Sequence, residues 1–366
     1  MKIYLPVDEC NIGDAYGYFK LTHLMRDALT NEGIQITSAS DADIALHISG
    51  ADYWRPIDGK KNVLFTMMET TGLPEHWRDY FTRADMIIVP CEHNKPMYQA
   101  RYSGRVEVCQ LGTSPVEFPF FQRSAPSPQE PFRFLWVGGP SIRKGQAQAV
   151  IAFTRWLRAG TIPANAQLYL KNTDHGKSGI LNFRVGIDHD AGNHPWGLDF
   201  LPERELPSHT DKLPSVVHDF RNLITGELNE LYRSAHAFLL PSLGEGWGLT
   251  LTEAMSTGLP CIWTHWSAPC DYADETIGYP LTRYKVGRFF YSDAYFNIDG
   301  SPRGSNTDWE RSGAISDPAE IIEKMSAIYQ DYPAALERGK LASERMHSLY
   351  TWVHSAQRLI KLLEAV

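Results

Sequence analysis

Between His236 and Met255 an apolar run, Ala237-Phe238-Leu239-Leu240, ends at Pro241 and opens into three glycines at alternate positions, Gly244, Gly246 and Gly248. Leu249-Thr250-Leu251-Thr252-Glu253-Ala254-Met255 follows. The pattern predicts a strand, a turn, and a helix that starts near Gly248. Glycines without a Cβ let the backbone come close to a ligand. Unpaired N–H groups at a helix start attract a phosphate. Two carboxylates bracket the turn: Glu245 lies within it, and Glu253 sits about a turn and a half into the helix. A carboxylate can accept two hydrogen bonds from a vicinal diol. One ligand satisfies all these features together, a phosphate with a polyhydroxylated ring on each side, which is a nucleotide sugar. The alternative reading of the same letters is a glycine-rich turn carrying two surface glutamates.

Other motifs with related chemistry fail on spacing. Gly244-x-Gly246-x-Gly248 lacks the final interval of a dinucleotide fingerprint. Gly176-Lys177-Ser178 ends like a phosphate-binding loop, but Lys171 stands where the first glycine belongs. No Gly-x-Ser-x-Gly elbow is present, which argues against a serine hydrolase. Asp41-Ala42-Asp43 has the letters of a metal-binding acidic pair but precedes a strand instead of ending one. Asp188-His189-Asp190, with His175 and His194 nearby, reads as a solvated loop. The expectation is that no metal and no cofactor is required.

Elements that would position the glycine turn surround it in a regular alternation. Strands are expected at Lys2–Val7, Ile34–Thr37, Ile44–Ile48, Val63–Met68, Met86–Val89 and Val106–Leu111, with helices from Leu21 to Leu29, His76–Arg83 and Asn94–Tyr102. Ser114–Pro131 breaks the rhythm with Ser124-Ala125-Pro126-Ser127-Pro128 and reads as a linker. A second series follows: strands at Phe132–Val137, Gln167–Leu170, Ala237–Leu240 and Pro260–Thr264, and helices at Gly145–Leu157, Glu227–Ser234 and Leu249–Thr257. The tail is helical, with Trp352, Val353, Ala356, Leu359, Ile360 and Leu363 on one face. Thr173–Lys212 and Val286–Asp317 are long, polar and outside the rhythm. Alternation of this kind implies parallel sheets covered by helices. The expected domains are 1–114, a linker at 115–131, and 132–349, with a helix over 350–366 packing back on the first domain.

Composition narrows the class further. The 366 residues suit two α/β domains, and 43% hydrophobic with 21% charged residues fit a globular chain. No stretch approaches the roughly 18 apolar residues of a membrane span. The first residues turn polar too early for a secretion signal. Five scattered cysteines without a Cys-x-x-Cys pair fit free thiols in a reducing compartment. A cytoplasmic location without stable membrane insertion is therefore expected. The formal charge of −8 gives no general attraction to polyanions, although a local basic patch can override the global sign. Oligomeric state is left open.

On these residues the chain resembles the retaining glycosyltransferases of family 4. The likeness rests on Glu245-x7-Glu253 within Pro241-Ser242-x-x-Glu245-Gly246-Trp247-Gly248, followed by Gly258-Leu259-Pro260. It extends upstream to Phe134–Gly145 and Glu227–Ala235, and in the N-terminal half to Glu69-Thr70-x-x-Leu73-Pro74-x-x-Trp77 and Leu111-Gly112-Thr113. The resemblance implies a GT-B fold, two Rossmann-like α/β domains facing across a cleft, with the donor site in the C-terminal domain. It also implies roles for single residues. Glu245 would hold donor-sugar hydroxyls, and the backbone of Gly246, Trp247, Gly248, Leu249 and Thr250 would hold sugar and phosphate. Glu253 would accept from the ribose diol, while Arg143 and Lys144 would neutralise the diphosphate leaving group. The alternative for Arg143-Lys144 is a solvated loop pair.

Two departures from the family pattern stand out. Gly139 occupies a place where many relatives carry arginine, so Arg143 is the substitute for that charge. No histidine stands at the strand end Thr66-Met67-Met68-Glu69, where many relatives present one to the donor, and Glu69 is the candidate in its place. Gly13 and Asp14, in the first strand-to-helix loop, are candidates for the same side. Base recognition is expected near Val217-His218-Asp219-Phe220. The resemblance implies transfer of a hexose, as from UDP-glucose or GDP-mannose, to a hydroxyl acceptor. A glycan is the expected acceptor, a hydroxymethylated base in DNA the alternative, and a nucleotide-sugar binding protein without turnover the non-enzymatic reading.

Overall fold

The computed structural model describes residues 1–6, 16–139, 142–172, 215–290 and 310–366. They divide into two units: Met1–Ser114 with Met346–Val366, and Pro115–Arg345. Gly13, Asp14, the acidic and histidine residues of 175–194, and the polar stretch 173–212 lie outside the described residues.

The first unit is built on β1 (Lys2–Tyr4), β2 (Gln35–Ile36), β3 (Ile44–Ile48), β4 (Lys61–Phe65), β5 (Met86–Val89) and β6 (Arg105–Val108), in the spatial order 2-1-3-4-5-6. Every pairing is parallel. All residues of β3 and β5 are buried, the mark of strands covered on both faces and the reason they read as continuous apolar runs. Helix α1 (Tyr16–Asn31) buries Leu21, Met25, Ala28 and Leu29. It ends at Gly33, whose φ of 84° suits a residue without a Cβ. Helices α2 (Trp77–Tyr80) and α3 (Lys95–Gln99) are shorter than their sequence patterns suggest. Beyond α2 the chain continues in i→i+3 turns, Phe81 N–H to Arg78 O and Ala84 N–H to Phe81 O. The C-terminal helix Trp352–Leu363 packs on α1 and is joined to the Gly112-Thr113 segment by a parallel bridge between Thr113 and Thr351.

The second unit carries β7 (Phe132–Gly138), β8 (Ala166–Asn172), β9 (Val216–Asp219), β10 (Ala237–Leu240), β11 (Cys261–Thr264) and β12 (Tyr279–Leu281), again all parallel. Their spatial order is 12-11-10-7-8-9, so the direction of winding reverses between β7 and β10. Helices α4 (Gln146–Arg158), α5 (Thr225–Arg233), α6 (Leu249–Ser256), α7 (Pro318–Gln330) and α8 (Tyr332–Leu349) follow in sequence, and the C-terminal helix is α9. The core of this unit gathers Phe134, Trp136, Phe153, Trp156, Leu168 and Met325. In the polar region 286–317 the described ends form an antiparallel pair, β13 (Tyr284–Phe290) and β14 (Glu310–Ser316). No helix among the described residues is long and apolar enough to cross a membrane.

The segment 115–131, read from the sequence as a linker, packs on the second unit. Phe118 is buried against Tyr232, and the Phe121 N–H donates to Thr257 O at 3.1 Å. Buried Arg123 donates to the backbone oxygens of Phe121, Thr257 and Tyr232 and to the Thr257 hydroxyl. Burial lowers its guanidinium to about 10. Desolvating a guanidinium is costly, and four acceptors offset that cost. The segment is thereby part of the second unit.

Candidate functional site

In an open parallel sheet, ligands bind beyond the carboxyl ends of the strands where the strand order reverses. Here those ends are Gly138 and Leu240, and the loops that leave them carry the two motifs singled out in the sequence. After β7 the chain reaches a one-turn 3-10 helix, Ile142–Lys144, and then α4. After β10 it runs through the glycine turn into α6. Gly145, at φ 69°, lets the first loop press against the second: a Cβ there would lie 2.0 Å from Pro241 O. The Leu243 N–H donates to Arg143 O at 2.7 Å and Trp136 Nε1 donates to Lys144 O at 3.0 Å, which fixes the basic turn from both sides.

This contact joins residues 101 positions apart. Lys144 Nζ donates to both Glu245 oxygens, at 3.0 and 2.8 Å. Arg143 Nη1 donates to Glu245 Oε2 at 3.3 Å and to Gly244 O at 2.8 Å. The carboxylate is 3% exposed, while the Arg143 and Lys144 side chains are 12% and 21% exposed. Burial by itself would raise the Glu245 carboxyl, but the Lys144 and Arg143 charges and their hydrogen bonds outweigh it and hold the group below its ordinary value. Two cations thus share one buried carboxylate. Neither the surface-glutamate nor the solvated-loop alternative describes these side chains.

The turn itself is held by its neighbours. Gly248 caps α6 at φ 95°, φ/ψ space that an L side chain enters only under strain. Leu249 and Thr250 open the helix, so their N–H groups have no acceptor within it. Trp247 is buried against Tyr272, with ring centroids 4.7 Å apart, and its carbonyl accepts from the Tyr272 hydroxyl at 2.8 Å. What Trp247 can offer a ligand is therefore its backbone. Glu253 is 4% exposed and accepts from the Tyr232 hydroxyl at 3.1 Å. Burial, and then the charge of Glu253, push the Tyr232 phenol far above its ordinary range.

Sequence reasoning passed over three residues that shape this turn. Tyr232 and Tyr272 look like ordinary core aromatics in the sequence. Ser267 follows β11, and its hydroxyl accepts the Glu245 N–H at 2.9 Å. Its φ of 58° is the only left-handed value for a non-glycine among the described residues, a conformation that costs about 1–3 kcal/mol. No local pattern marks such a position.

At the end of β9, Asp219 accepts from the Tyr169 hydroxyl at 2.8 Å and from Arg221 through three N–H contacts of 2.7–3.0 Å. Burial opposes ionisation of Asp219, but the Arg221 and Tyr169 hydrogen bonds prevail and hold its carboxyl far below the usual range. The His218 and Phe220 rings stack with their planes 7° apart. In the first unit, the segment after β4 that carries Glu69 is pinned on two sides. The Tyr18 hydroxyl accepts from Met67 N–H at 3.0 Å, and the Asn94 amide pairs with both Met68 N–H and Met68 O. Burial, and then the Glu69 charge, raise the Tyr18 phenol. Asp43 accepts the Lys2 N–H at 2.8 Å and so links β1 to the start of β3. Among the described residues no group of three or more His, Cys, Asp or Glu side chains is placed to hold a metal ion.

Comparison with known proteins points one way. Residues 199–282 match the family model described as Glycosyl transferases group 1. The serotype-specific mannosyltransferase WbdA of Escherichia coli is 26% identical over 234 residues, which is 64% of this chain and 21% of that protein. The chain thus spans about a fifth of the curated relative it matches. Among solved structures, HepE of Anabaena in complex with UDP and glucose aligns with a TM-score of 0.64 at 13% identity, over 100% of both chains. Sucrose-phosphate synthase from Thermosynechococcus elongatus aligns with a TM-score of 0.63 at 15% identity, over 100% of this chain and 98% of that one. The fold is GT-B, with two parallel-sheet α/β units. The likeness to glycosyltransferases read from the sequence is shared by the family model and the curated relative.

Proposed function

We propose that the chain transfers a hexose from a nucleotide-diphosphate sugar to a hydroxyl acceptor, with retention at the anomeric carbon and without a metal ion. The observation that carries this reading is the buried Glu245 carboxylate gripped by Lys144 and Arg143 beside the start of α6. A carboxylate offers about four acceptor sites, and the cations use three, so a donor hydroxyl can still bind. The exposed faces of Lys144 and Arg143 and the first N–H groups of α6 suit a diphosphate. Glu253 is the acceptor for a ribose diol, and the base lies toward Val217–Phe220. Glu69, in place of a histidine, and Gly13 and Asp14 are the first unit's candidates for contacting sugar or acceptor.

In the reaction, the acceptor oxygen forms a bond to the anomeric carbon as the bond to the diphosphate oxygen breaks. The electron pair departs on the diphosphate, and that oxygen takes the acceptor's proton. Negative charge grows on the leaving group, and fixed cations there lower the barrier more than they stabilise the bound donor. Two protein cations fill the role of a divalent ion, so a chelator leaves turnover unchanged. The mannosyltransferase relative and the UDP and glucose bound to HepE support a hexose donor.

The deciding measurement is a thermal-shift screen of UDP-, GDP-, ADP- and CMP-sugars followed by turnover with the best binder. Binding at a hundredfold excess over Kd stabilises by about 2.7 kcal/mol. One nucleotide class is expected to shift the transition, and Lys144→Ala to reduce the shift modestly while lowering turnover far more. Failure of every nucleotide sugar to bind would overturn the proposal.

A further inference from the structure

Glu245 is tied through its backbone to a neighbouring loop as well as through its carboxylate. Strands β10 and β11 are adjacent and parallel, with Leu240 opposite Trp263, so the loops after them leave the sheet side by side. The second loop is held on β12 as far as His265, whose N–H donates to Leu281 O at 2.9 Å. Trp266 N–H then turns back to Thr264 O at 2.9 Å, and Ser267 follows at φ 58° and ψ −141°. This backbone region lies close to one that essentially only glycine occupies. Ser267 is 4% exposed, and its hydroxyl accepts the Glu245 N–H while the next residue, Ala268, donates its N–H toward Glu245 O at 3.4 Å. Both polar groups of the Glu245 peptide backbone thus meet this one turn.

Glycine would relax the turn but has no oxygen to receive the Glu245 N–H. Alanine would keep the strain and lose the oxygen. A serine at this place makes sense when the hydrogen bond matters more than the relaxed backbone. We infer that Ser267 is a positioning residue for the transfer reaction: its hydroxyl sets the register of Glu245, and through that carboxylate the placement of Lys144 and Arg143. The inference rests on the function proposed above. Displacing Glu245 would move the two cations away from the charge that develops on the leaving group. It would leave the contacts made by Glu253 and the α6 backbone in place. The loss therefore falls on kcat rather than KM.

Three substitutions separate the hydroxyl from the backbone, read as UDP release from UDP-glucose or GDP release from GDP-mannose, together with Tm. Ser267→Gly is expected to melt at or above the wild-type temperature while kcat falls about tenfold and KM stays within about threefold. Ser267→Ala should lose the same activity at a lower Tm. Ser267→Thr, which keeps the hydroxyl on a bulkier Cβ, should retain kcat within about threefold despite a lower Tm. A structural role alone predicts the opposite order, with glycine fully active. Full kcat in Ser267→Gly, alongside an inactive Glu245→Ala, would overturn this inference and leave the proposed function standing. Full kcat in Glu245→Ala as well would remove both.

Discussion

Two opposed forces meet at Glu245. Removing a carboxylate from water costs several kcal/mol, and two cations at 2.8–3.3 Å return that cost through charge-assisted hydrogen bonds. The balance favours the ionised form, since the folded carboxyl titrates below its ordinary 4.5. A depressed folded pKa stabilises the fold fully above the unfolded value, and that contribution is lost as pH falls through the folded one. Glu245→Gln should therefore be less stable than wild type at neutral pH, with the difference shrinking as pH falls below about 4.5. Urea midpoints between pH 7 and 3 would show it, and a constant difference over that range would contradict the ion-pair account. Lys144→Ala leaves the carboxylate to Arg143 alone. It should cost about 1–3 kcal/mol, less than for a fully buried pair because Lys144 is partly exposed. If the proposed reaction holds, turnover should fall about a hundredfold.

Elements matter here through the places where two of them come close. The loop from β7 into α4 touches the loop from β10 into α6 because Gly145 has no side chain. A methyl group at Gly145 would meet Pro241 O at 2.0 Å, a backbone atom that cannot swing aside. At Gly248 the nearest atom to a Cβ is the Tyr272 hydroxyl at 3.0 Å, and at Gly160 there is open space. All three have left-handed φ, so each Ala variant carries a strain of about 1–2 kcal/mol. Gly160→Ala should show only that strain, Gly248→Ala somewhat more, and Gly145→Ala the largest loss, about 3 kcal/mol or above. Thermal melts of the three variants test the order, and equal losses would show that the loop contact is unimportant.

At the level of the molecule, the two units differ in how the chain builds them. The second is one continuous stretch, whereas the first is completed by α9, which returns to α1 after the chain has passed through α8. Of the apolar face read in the tail, Trp352, Ala356, Leu359 and Leu363 are buried there, whereas Val353 is exposed and Ile360 only partly buried. Leu359 is fully buried, so Leu359→Ala should destabilise the first unit by about 2–4 kcal/mol. Hydrogen exchange should quicken in α1 and β1–β6 while protection of β7–β12 stays unchanged. A comparable loss of protection across β7–β12 would mean that the two units unfold as one.

Local pattern was enough for much of this protein. Apolar runs and their punctuation marked β5 and β10 to the residue, because burial on both faces leaves an unbroken hydrophobic string. Alternate glycines with two nearby carboxylates marked the turn before α6, and the last of them, Gly248 at φ 95°, stands where the backbone demands that residue type. Other features depend on distant parts of the chain. The reversal between β7 and β10 places Lys144 against Glu245 across 101 residues, and periodicity, being local, carries no trace of which strands become neighbours. Arg123 in a proline-rich stretch and Ser267 after β11 look like surface residues in sequence. Only their partners, Thr257 and Tyr232 for one and Glu245 for the other, make them interior. A polar side chain acquires its role from what it pairs with, and pairing is decided by tertiary structure.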